Sequence, residues 1–453
     1  MSPTRALSRK PAITSWDPED PGFWETTGRR IASRNMWTSV ITEHIGFSVW
    51  SLWSVLVLFM SKKTGYSLSP ADKFLLASIV TLVGACSRPL YGYAVTRLGG
   101  RTWTTISTLF LFGPVIAATV ILGHPHAPFG AFIACAAVSG IGGGSFASST
   151  TNINFFFPVR EKGRALGINA GAGNLGVASV QLLGLLVIAV AGLTHPRLLV
   201  SLFVPLLLIA ALVSYRLMDN LPNMRTGGTD FARAMKDPYT LAISLLYIGT
   251  FGSFIGYSFA FGLVLQNDFG RTPLQAASLT FIGPLIGSLL RPYGGHLADR
   301  FGAARVTLAS FAGLAACTAF TIAAYSAHNL PLFIVAFVAL FTLSGFGNGA
   351  TYAMIPLPYA AAAEWEIEAG ADPETARAAA RRKAGAVITI AGAFGGLGGV
   401  GINLAFRESY TMAHTGRPAM IGFLAFYAVC AGITLAARRR AHAAVPARVP
   451  VTA

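Results

Sequence analysis

Two stretches of the chain repeat one pattern: Ser87–Arg101 reads SRPLYGYAVTRLGGR, and Leu290–Arg305 reads LRPYGGHLADRFGAAR. Each contains an Arg-Pro pair inside an apolar segment, followed nine residues later by a second arginine. The two Arg-Pro arginines are Arg88 and Arg291. The same pattern at two distant positions predicts a chain built from two related halves.

The composition is that of a membrane protein. Of the 453 residues, 53% are hydrophobic and only 11% are charged, which is too apolar for a soluble domain of this size. Apolar segments long enough to cross a hydrocarbon core of about 30 Å recur about twelve times. Lipid leaves backbone groups no partner outside helices and closed barrels. We therefore predict an all-α integral membrane protein with twelve transmembrane helices.

A polar segment from Met218 to Asp237 divides the predicted helices six and six. Two parallel six-helix halves are typical of secondary transporters, which bind their substrate between the halves. The first 35 residues lack the pattern of a signal peptide. The predicted organisation is an arm (1–35), a first half (36–218), a central loop (219–237), a second half with an inserted loop at 361–383 (238–437), and a tail (438–453).

The net charge of +16 is explained by the way in which positive residues orient a membrane protein across the bilayer. Most of the 34 lysines and arginines fall in alternate loops and not on one face, which argues against a nucleic-acid partner. The positive-inside rule then places both termini in the cytoplasm. The four cysteines show no CxxC pair and no histidine at metal-binding spacing, so we expect neither a metal site nor a disulfide.

The two Arg-Pro arginines are costly in a bilayer, by roughly 2.5–3.5 kcal/mol each on an insertion scale. The repeat predicts that they face each other across a central cavity. Among the predicted spans the only clear acidic candidate is Glu43, near the predicted start of the first helix. We therefore expect an anionic substrate, for which a planar oxyanion suits the guanidinium fork and phosphate, sulfate or a carboxylate also fits. The alternative is that each arginine reaches an interface or binds backbone carbonyls.

Glycine is concentrated in two related regions, Gly140–Gly176 and Ser344–Pro356 with Gly385–Asn403. Small residues allow membrane helices to approach closely. These regions, the arm Ile13–Asn35 and the segment Leu245–Gly262 together resemble the nitrate/nitrite porter family of the major facilitator superfamily. The resemblance covers nearly the whole chain.

The resemblance implies the major facilitator fold, with two pseudo-symmetric six-helix halves, and transport of nitrate and nitrite across the bacterial inner membrane by alternating access. It implies that Arg88 and Arg291 clamp the anion, with aromatic walls and polar partners around it: Phe146, Phe251 and Phe47 as walls, and Tyr247 and Asn174 as hydrogen-bonding partners. Asn169 is a further candidate, with hydrogen bonding between helices as its alternative role.

The ends of the repeated stretches also resemble the superfamily's loop motif, in which charges at cytoplasmic helix ends close an inner gate. The first copy has Thr96 where the motif has aspartate, and the second copy keeps the aspartate. The resemblance assigns four charged residues to gating or topology: Asp299, Arg97, Arg300 and Arg305.

The coupling mode is open at this point. An unloaded site would desolvate two unneutralised arginines on closing, so we expect obligatory exchange of nitrate for nitrite. The alternative is proton-coupled nitrate uptake, for which Glu43 and His44 supply titratable groups. An anion channel or a nitrate-sensing transceptor is a further alternative. We expect a functional monomer without cofactor and without enzyme activity, because no nucleophile, base and acid come together in the spans.

Overall fold

The computed structural model describes residues 13–222, 224 and 228–443. Three predicted regions fall partly outside the described residues: the arm at 1–12, the central loop at 223 and 225–227, and the tail at 444–453. Every regular element in the described part of the chain is helical.

Within the described residues, twelve helices are long and apolar enough to span a bilayer, which confirms the predicted all-α class and helix number. A short helix, Gly228–Lys236, lies between the sixth and the seventh. The twelve are α1 (Pro21–Phe59), α2 (Pro70–Leu98), α3 (Gly100–Ile121), α4 (Phe129–Phe156), α5 (Arg160–Ala191), α6 (Pro196–Leu217), α7 (Pro238–Asp268), α8 (Pro273–Phe301), α9 (Ala303–Ser326), α10 (Leu330–Glu368), α11 (Pro373–Ala413) and α12 (Arg417–Ala436).

The repeated sequence pattern ends both α2 and α8 with a glycine. Gly99 follows α2 with φ +84°, and Gly302 follows α8 with φ +91°. Glycine adopts positive φ without steric cost, so the chain reverses directly into the next helix. The repeat therefore specifies the same helix–turn–helix geometry in both halves.

The helices that carry the repeat pack across the two halves. Helix α2 packs along α11, and its counterpart α8 packs along α5. A Cβ added to Gly396 would lie 2.9 Å from the Cβ of Ala85, and one added to Gly171 would lie 3.3 Å from Cγ of Pro292. Glycines thus permit the close contacts between the halves, and the two contacts are related as two pseudo-symmetric halves require.

The halves also meet at the end of the bundle away from the start of α1. There the ring of Phe74 on α2 is stacked against Phe406 and Tyr410 of α11, with ring centroids 5.3 and 5.2 Å apart. Gln181 of α5 donates a hydrogen bond to the carbonyl of Ser258 on α7 (2.8 Å). This far end of the bundle is therefore closed by contacts between the halves.

The opposite end, at which α1 begins (the terminal end), holds a separate apolar cluster. Trp24 is fully buried there and packs with Phe156 and Phe157 at the end of α4. Its indole nitrogen donates to Glu161 of α5 (2.8 Å). Arg34 pairs with Asp219 after α6 (2.6 Å). The first turns of α1 are thus fixed to the rest of the first half.

Most of the inserted segment 361–383 is helical. Helix α10 continues to Glu368, and α11 begins at Pro373, so only residues 369–372 lie between them. Asp372 caps α11 by accepting a hydrogen bond from the backbone N–H of Thr375 (2.8 Å). Arg377 joins the two helices through a two-point ion pair with Glu364.

The contact between α8 and α10 gives a test of the packing. Gly294→Ala should lower the thermal unfolding midpoint, because its Cβ would lie 2.1 Å from the carbonyl oxygen of Phe346. Such overpacking costs about 1–3 kcal/mol. Gly295→Ala is the matched control, since a Cβ there meets nothing within 4 Å. Tryptophan fluorescence of the purified protein measures both midpoints, and equal values would contradict the described contact.

Candidate functional site

Arg88 and Arg291 are buried inside the bundle. Arg88 on α2 has none of its side chain exposed, and Arg291 on α8 is 3% exposed. Neither has a carboxylate partner among the described residues. Two permanent positive charges therefore lie in an environment from which water is excluded.

Each guanidinium has one amino group that finds no hydrogen-bond partner in the part of the chain that the structure describes. The Arg88 group donates through Nε to the Gly143 carbonyl (3.3 Å) and through Nη1 to the Gly392 carbonyl, whereas Nη2 has no partner. The Arg291 group donates through Nη2 to the Tyr247 hydroxyl (2.8 Å), whereas Nη1 has none. A buried charged donor without an acceptor is costly, so these two amino groups are suited to bind an acceptor.

Two phenylalanine rings lie beside both guanidinium groups. Phe146 of α4 and Phe251 of α7 are nearly parallel, at 20°, with centroids 6.4 Å apart. The Cζ of Arg88 lies 5.2 and 4.8 Å from these centroids, and the Cζ of Arg291 lies 5.7 and 5.9 Å from them. Each Cζ is thus almost equidistant from the rings and closer to their midpoint than to either centroid.

The spacing of the rings suits a thin, flat group. A centroid separation of 6.4 Å is close to two van der Waals contacts of roughly 3.5 Å each. A planar ion midway between the two centroids would lie close to both rings and nearer to each guanidinium Cζ than either centroid lies. Two parallel hydrogen bonds to an edge of such an ion are the geometry that a guanidinium fork favours.

The other predicted binding residues surround this cluster. Tyr247 is stacked on Phe251 (5.3 Å, 10°), and Phe47 of α1 meets Phe146 edge to face (6.3 Å). Asn174 of α5 is buried, and neither of its amide atoms has a hydrogen-bond partner within the described residues. It has no described contact with the rings, although Gly176, two residues later, lies against Phe47. Contacts therefore connect every predicted binding residue except Asn174.

Two further aromatic residues lie beside the arginines and were not predicted from the sequence. The ring of Trp50 on α1 lies 5.6 Å from the Arg88 Cζ, and that of Tyr352 on α10 lies 5.6 Å from the Arg291 Cζ. Attraction between a cation and an aromatic face acts at these distances and is stronger where water is excluded. No local pattern distinguishes either residue from the chain's other aromatic side chains.

Asn348 is a polar residue that the sequence repeat could have identified. The stretch SGFGNG in α10 corresponds to SGIGGG in α4, and Asn348 stands where the first copy has Gly143, whose carbonyl accepts from Arg88. Asn348 is buried, and the described part of the chain offers no hydrogen-bond partner to either of its amide atoms.

The two candidate proton-coupling residues lie close to this cluster. Glu43 is buried, where the amide of Asn169 (2.7 Å) and the hydroxyl of Ser149 donate to its Oε2, and Oε1 has no partner. His44 Nδ1 is hydrogen-bonded to the carbonyl of Ala172 (3.0 Å). Asn169 therefore binds the carboxylate of Glu43.

Glu43 lies about one helical turn from the ring pair, toward the terminal end. It precedes Phe47 by four residues on α1, and its partner Ser149 follows Phe146 by three residues on α4. Three to four residues make one turn of an α-helix, about 5.4 Å. Because α1 and α4 run in opposite directions, both offsets point to the same side of the rings.

The four predicted gating residues are not brought together. Arg97, Asp299, Arg300 and Arg305 are all exposed. The Arg97 guanidinium lies over the ring of Tyr93 (5.1 Å), and that of Arg300 lies over Phe301 (5.2 Å). In the described part of the chain none of the four takes part in an ion pair. Their role in gating stays a prediction.

Comparisons with known proteins agree with this architecture. A family model described as the Major Facilitator Superfamily matches residues 44–403. The human organic anion transporter MFSD10 (TETRAN) has a TM-score of 0.61 at 14% identity, with 90% of this chain and 99% of that chain covered. The nucleoside transporter NupG (D323A mutant) has a TM-score of 0.61 at 13% identity, with 89% and 99% covered. These two likenesses concern the fold alone.

Curated relatives are more similar in sequence. The nitrate/nitrite transporter NarU of Escherichia coli (strain K12) is 35% identical, over 93% of this chain and 95% of that protein. The probable nitrate/nitrite antiporter NarK2 of Thermus thermophilus is 32% identical, over 76% of this chain and 82% of that protein. The chain therefore belongs to the major facilitator superfamily and, within it, to the nitrate/nitrite porter family.

Proposed function

We propose that the protein is a secondary active transporter that moves nitrate and nitrite across the bacterial inner membrane by alternating access. The observation that carries this proposal is the pair of buried arginines, each with an unpaired amino group beside the gap between Phe146 and Phe251. Relatives named as nitrate/nitrite transporters support the choice of anion.

The charges around the rings favour a monovalent anion as cargo. Arg88 and Arg291 carry two positive charges, and Glu43 is the nearby buried carboxylate. One oxygen of Glu43 already accepts two hydrogen bonds, from Ser149 and Asn169. One bound nitrate or nitrite would bring the three charged residues and the anion to electrical neutrality when Glu43 is ionised. In a low-dielectric site, such a balance lowers the cost of closing the carrier.

The same balance favours exchange over one-way transport. Without an anion, closure around the site would bury two guanidinium groups with a single carboxylate, that of Glu43, to offset their two positive charges. A bound anion removes that excess charge, so the loaded carrier changes between its two orientations more readily than the empty carrier. We propose that the carrier changes orientation mainly when loaded, which exchanges nitrate for nitrite. The name of the Thermus relative, a probable antiporter, is consistent with this mode.

Proton-coupled uptake is the second candidate function. It is favoured by the position of Glu43, one turn from the ring pair and linked to it through α1 and α4. A proton on Glu43 would raise the net charge of the site by one unit, and a bound anion would lower it by one unit. Binding of a proton and an anion would then be linked through their Coulomb interaction.

We further propose how the protein is oriented in the membrane and which parts of it move during transport. Arg29, Arg30 and Arg34 near the start of α1, and the exposed arginines at the ends of α2 and α8, suit a cytoplasmic terminal end. The halves 36–218 and 238–437 would rock about the ring site, with Arg97, Asp299, Arg300 and Arg305 pairing when the terminal end closes. The described closure at Phe74 would then be on the periplasmic side. The functional unit would be one chain.

The arginine clamp is tested by charge-preserving substitutions. Arg88→Lys and Arg291→Lys should each reduce nitrate/nitrite counterflow by roughly 10–100-fold, since a charge-assisted hydrogen bond contributes about 1.5–3 kcal/mol. Lysine keeps the charge but loses the planar fork. Arg197→Lys, at an exposed arginine on α6, is the control. Counterflow is measured in proteoliposomes, and wild-type rates in both site variants would refute the clamp.

The coupling mode is tested in vesicles without internal anion. Under the exchange proposal, a proton gradient alone drives no nitrate into such vesicles, and internal nitrite restores uptake. Glu43→Gln keeps the shape of the side chain and an acceptor for Ser149 and Asn169, but it leaves one positive charge uncompensated in the loaded site, so counterflow should slow and yet persist. Gradient-driven uptake by the wild type that is lost in Glu43→Gln would establish proton coupling instead.

A further inference from the structure

A cleft with a volume of about 510 Å³ lies between α7, α11 and α12, apart from the ring site. Its walls are mainly apolar, and it opens on the outer surface of the bundle, where Met412 is 82% exposed. A bilayer would bring lipid to this surface. The principal apolar side chains of the walls are Ile248, Ile402, Met412, Phe423, Phe426 and Tyr427.

Two glycines keep the cleft open. A Cβ added to Gly401 of α11 or to Gly422 of α12 would meet nothing within 4 Å. By contrast, a Cβ added to Gly398 of α11 would lie 2.6 Å from the Cα of Gly252 on α7. Gly398 is therefore required for helix contact, whereas Gly401 and Gly422 leave space that larger side chains would fill without collision.

One end of the cleft carries a positive charge. Arg417 is the first residue of α12, next to Pro418 in the cleft wall, and it is exposed. Among the described residues it has no ion-pair partner, whereas Glu408 in the wall is neutralised by Arg407 (2.5 Å). The start of a long helix adds a partial positive charge at the same place. An apolar cleft with a cationic mouth suits an amphiphile with an acidic head group.

We propose that this cleft binds one anionic phospholipid, with an acyl chain between α11 and α12 and the phosphate at Arg417. Apolar walls of this extent suit an acyl chain, and the charge of Arg417 suits a phosphate group.

The bound lipid would lie directly behind the helix that carries Phe251. On the inner wall the hydroxyl groups of Ser253 and Tyr427 are hydrogen-bonded (2.7 Å), and Ser253 is two residues after Phe251 on α7. Gly252, the neighbour of Phe251 in the chain, lies in close contact with Gly398 of the cleft wall. The site is nevertheless independent of which anion is transported.

The proposal is tested by filling the cleft. Gly422→Leu and Gly401→Leu should weaken binding of the first phosphatidylglycerol by about fourfold for each methylene group that is displaced. Gly432→Leu is the matched control: it lies on α12 outside the cleft walls, and a Cβ there also meets nothing within 4 Å. Binding is measured by native mass spectrometry of the full chain titrated with phosphatidylglycerol.

The proposed contact between Arg417 and the lipid head group is tested by a separate variant. Arg417→Gln should reduce the preference for phosphatidylglycerol over phosphatidylcholine with the same acyl chains, while Gly432→Leu keeps the preference. Equal lipid binding by the wild type and both cleft-filling variants would overturn the proposal. So would a dimer that Gly422→Leu dissociates with no change in bound lipid, because the cleft would then be an interface between copies. Nitrate transport enters neither readout, so a failure of the proposed transport function is recorded separately.

Discussion

The rest of the structure depends on one constraint: two guanidinium groups are buried, and no carboxylate among the described residues is directly paired to either. Neither group can lose its proton, so the surrounding protein must supply acceptors. Backbone carbonyls of Gly143 and Gly392 and the hydroxyl of Tyr247 take part of the hydrogen-bonding capacity. The remaining amino groups point to a cargo that is itself an acceptor. The positive charge of the site therefore determines the kind of substrate that it suits, which is an anion with hydrogen-bond acceptors.

The glycine-rich helices follow from the same constraint. Arg88 of one half reaches the carbonyl of Gly392 in the other half only because α2 and α11 pack closely. The absence of side chains at Gly396 and Gly171 allows this approach and the related one between α5 and α8. The glycines therefore both join the halves and expose main-chain acceptors to the arginines, which accounts for their concentration in the two repeated regions.

Much of the fold could be predicted because helix number depends on local properties, length and apolarity, that a sequence displays directly. The pairing of Arg88 with Arg291 came from the internal repeat. Phe146 and Phe251 came only from the family resemblance, because apolar packing and substrate contact require the same side chain. Trp50 was not predicted, because its contact with Arg88 joins α1 to α2 and the sequence alone does not show which of their residues meet.

The position of Glu43 is a second feature that the sequence alone did not predict correctly. Apolarity predicted a first helix beginning at residue 36, with Glu43 near its start. Helix α1 begins at Pro21 instead, because the buried side chain of Trp24 holds its first turns against the ends of α4 and α5. That burial depends on tertiary contacts of a polar segment, which hydropathy does not detect. The carboxylate consequently lies deep in the bundle, one turn from the rings.

The central claim is that one anion bridges both arginines, and direct binding tests it most simply. Isothermal titration calorimetry of the purified chain with nitrate gives the number of ions bound and their affinity. The account predicts one nitrate per wild-type chain. It also predicts that the Arg88→Lys and Arg291→Lys losses are not additive in the double variant, because both side chains hold the same ion. Wild-type affinity in the double variant would contradict the claim.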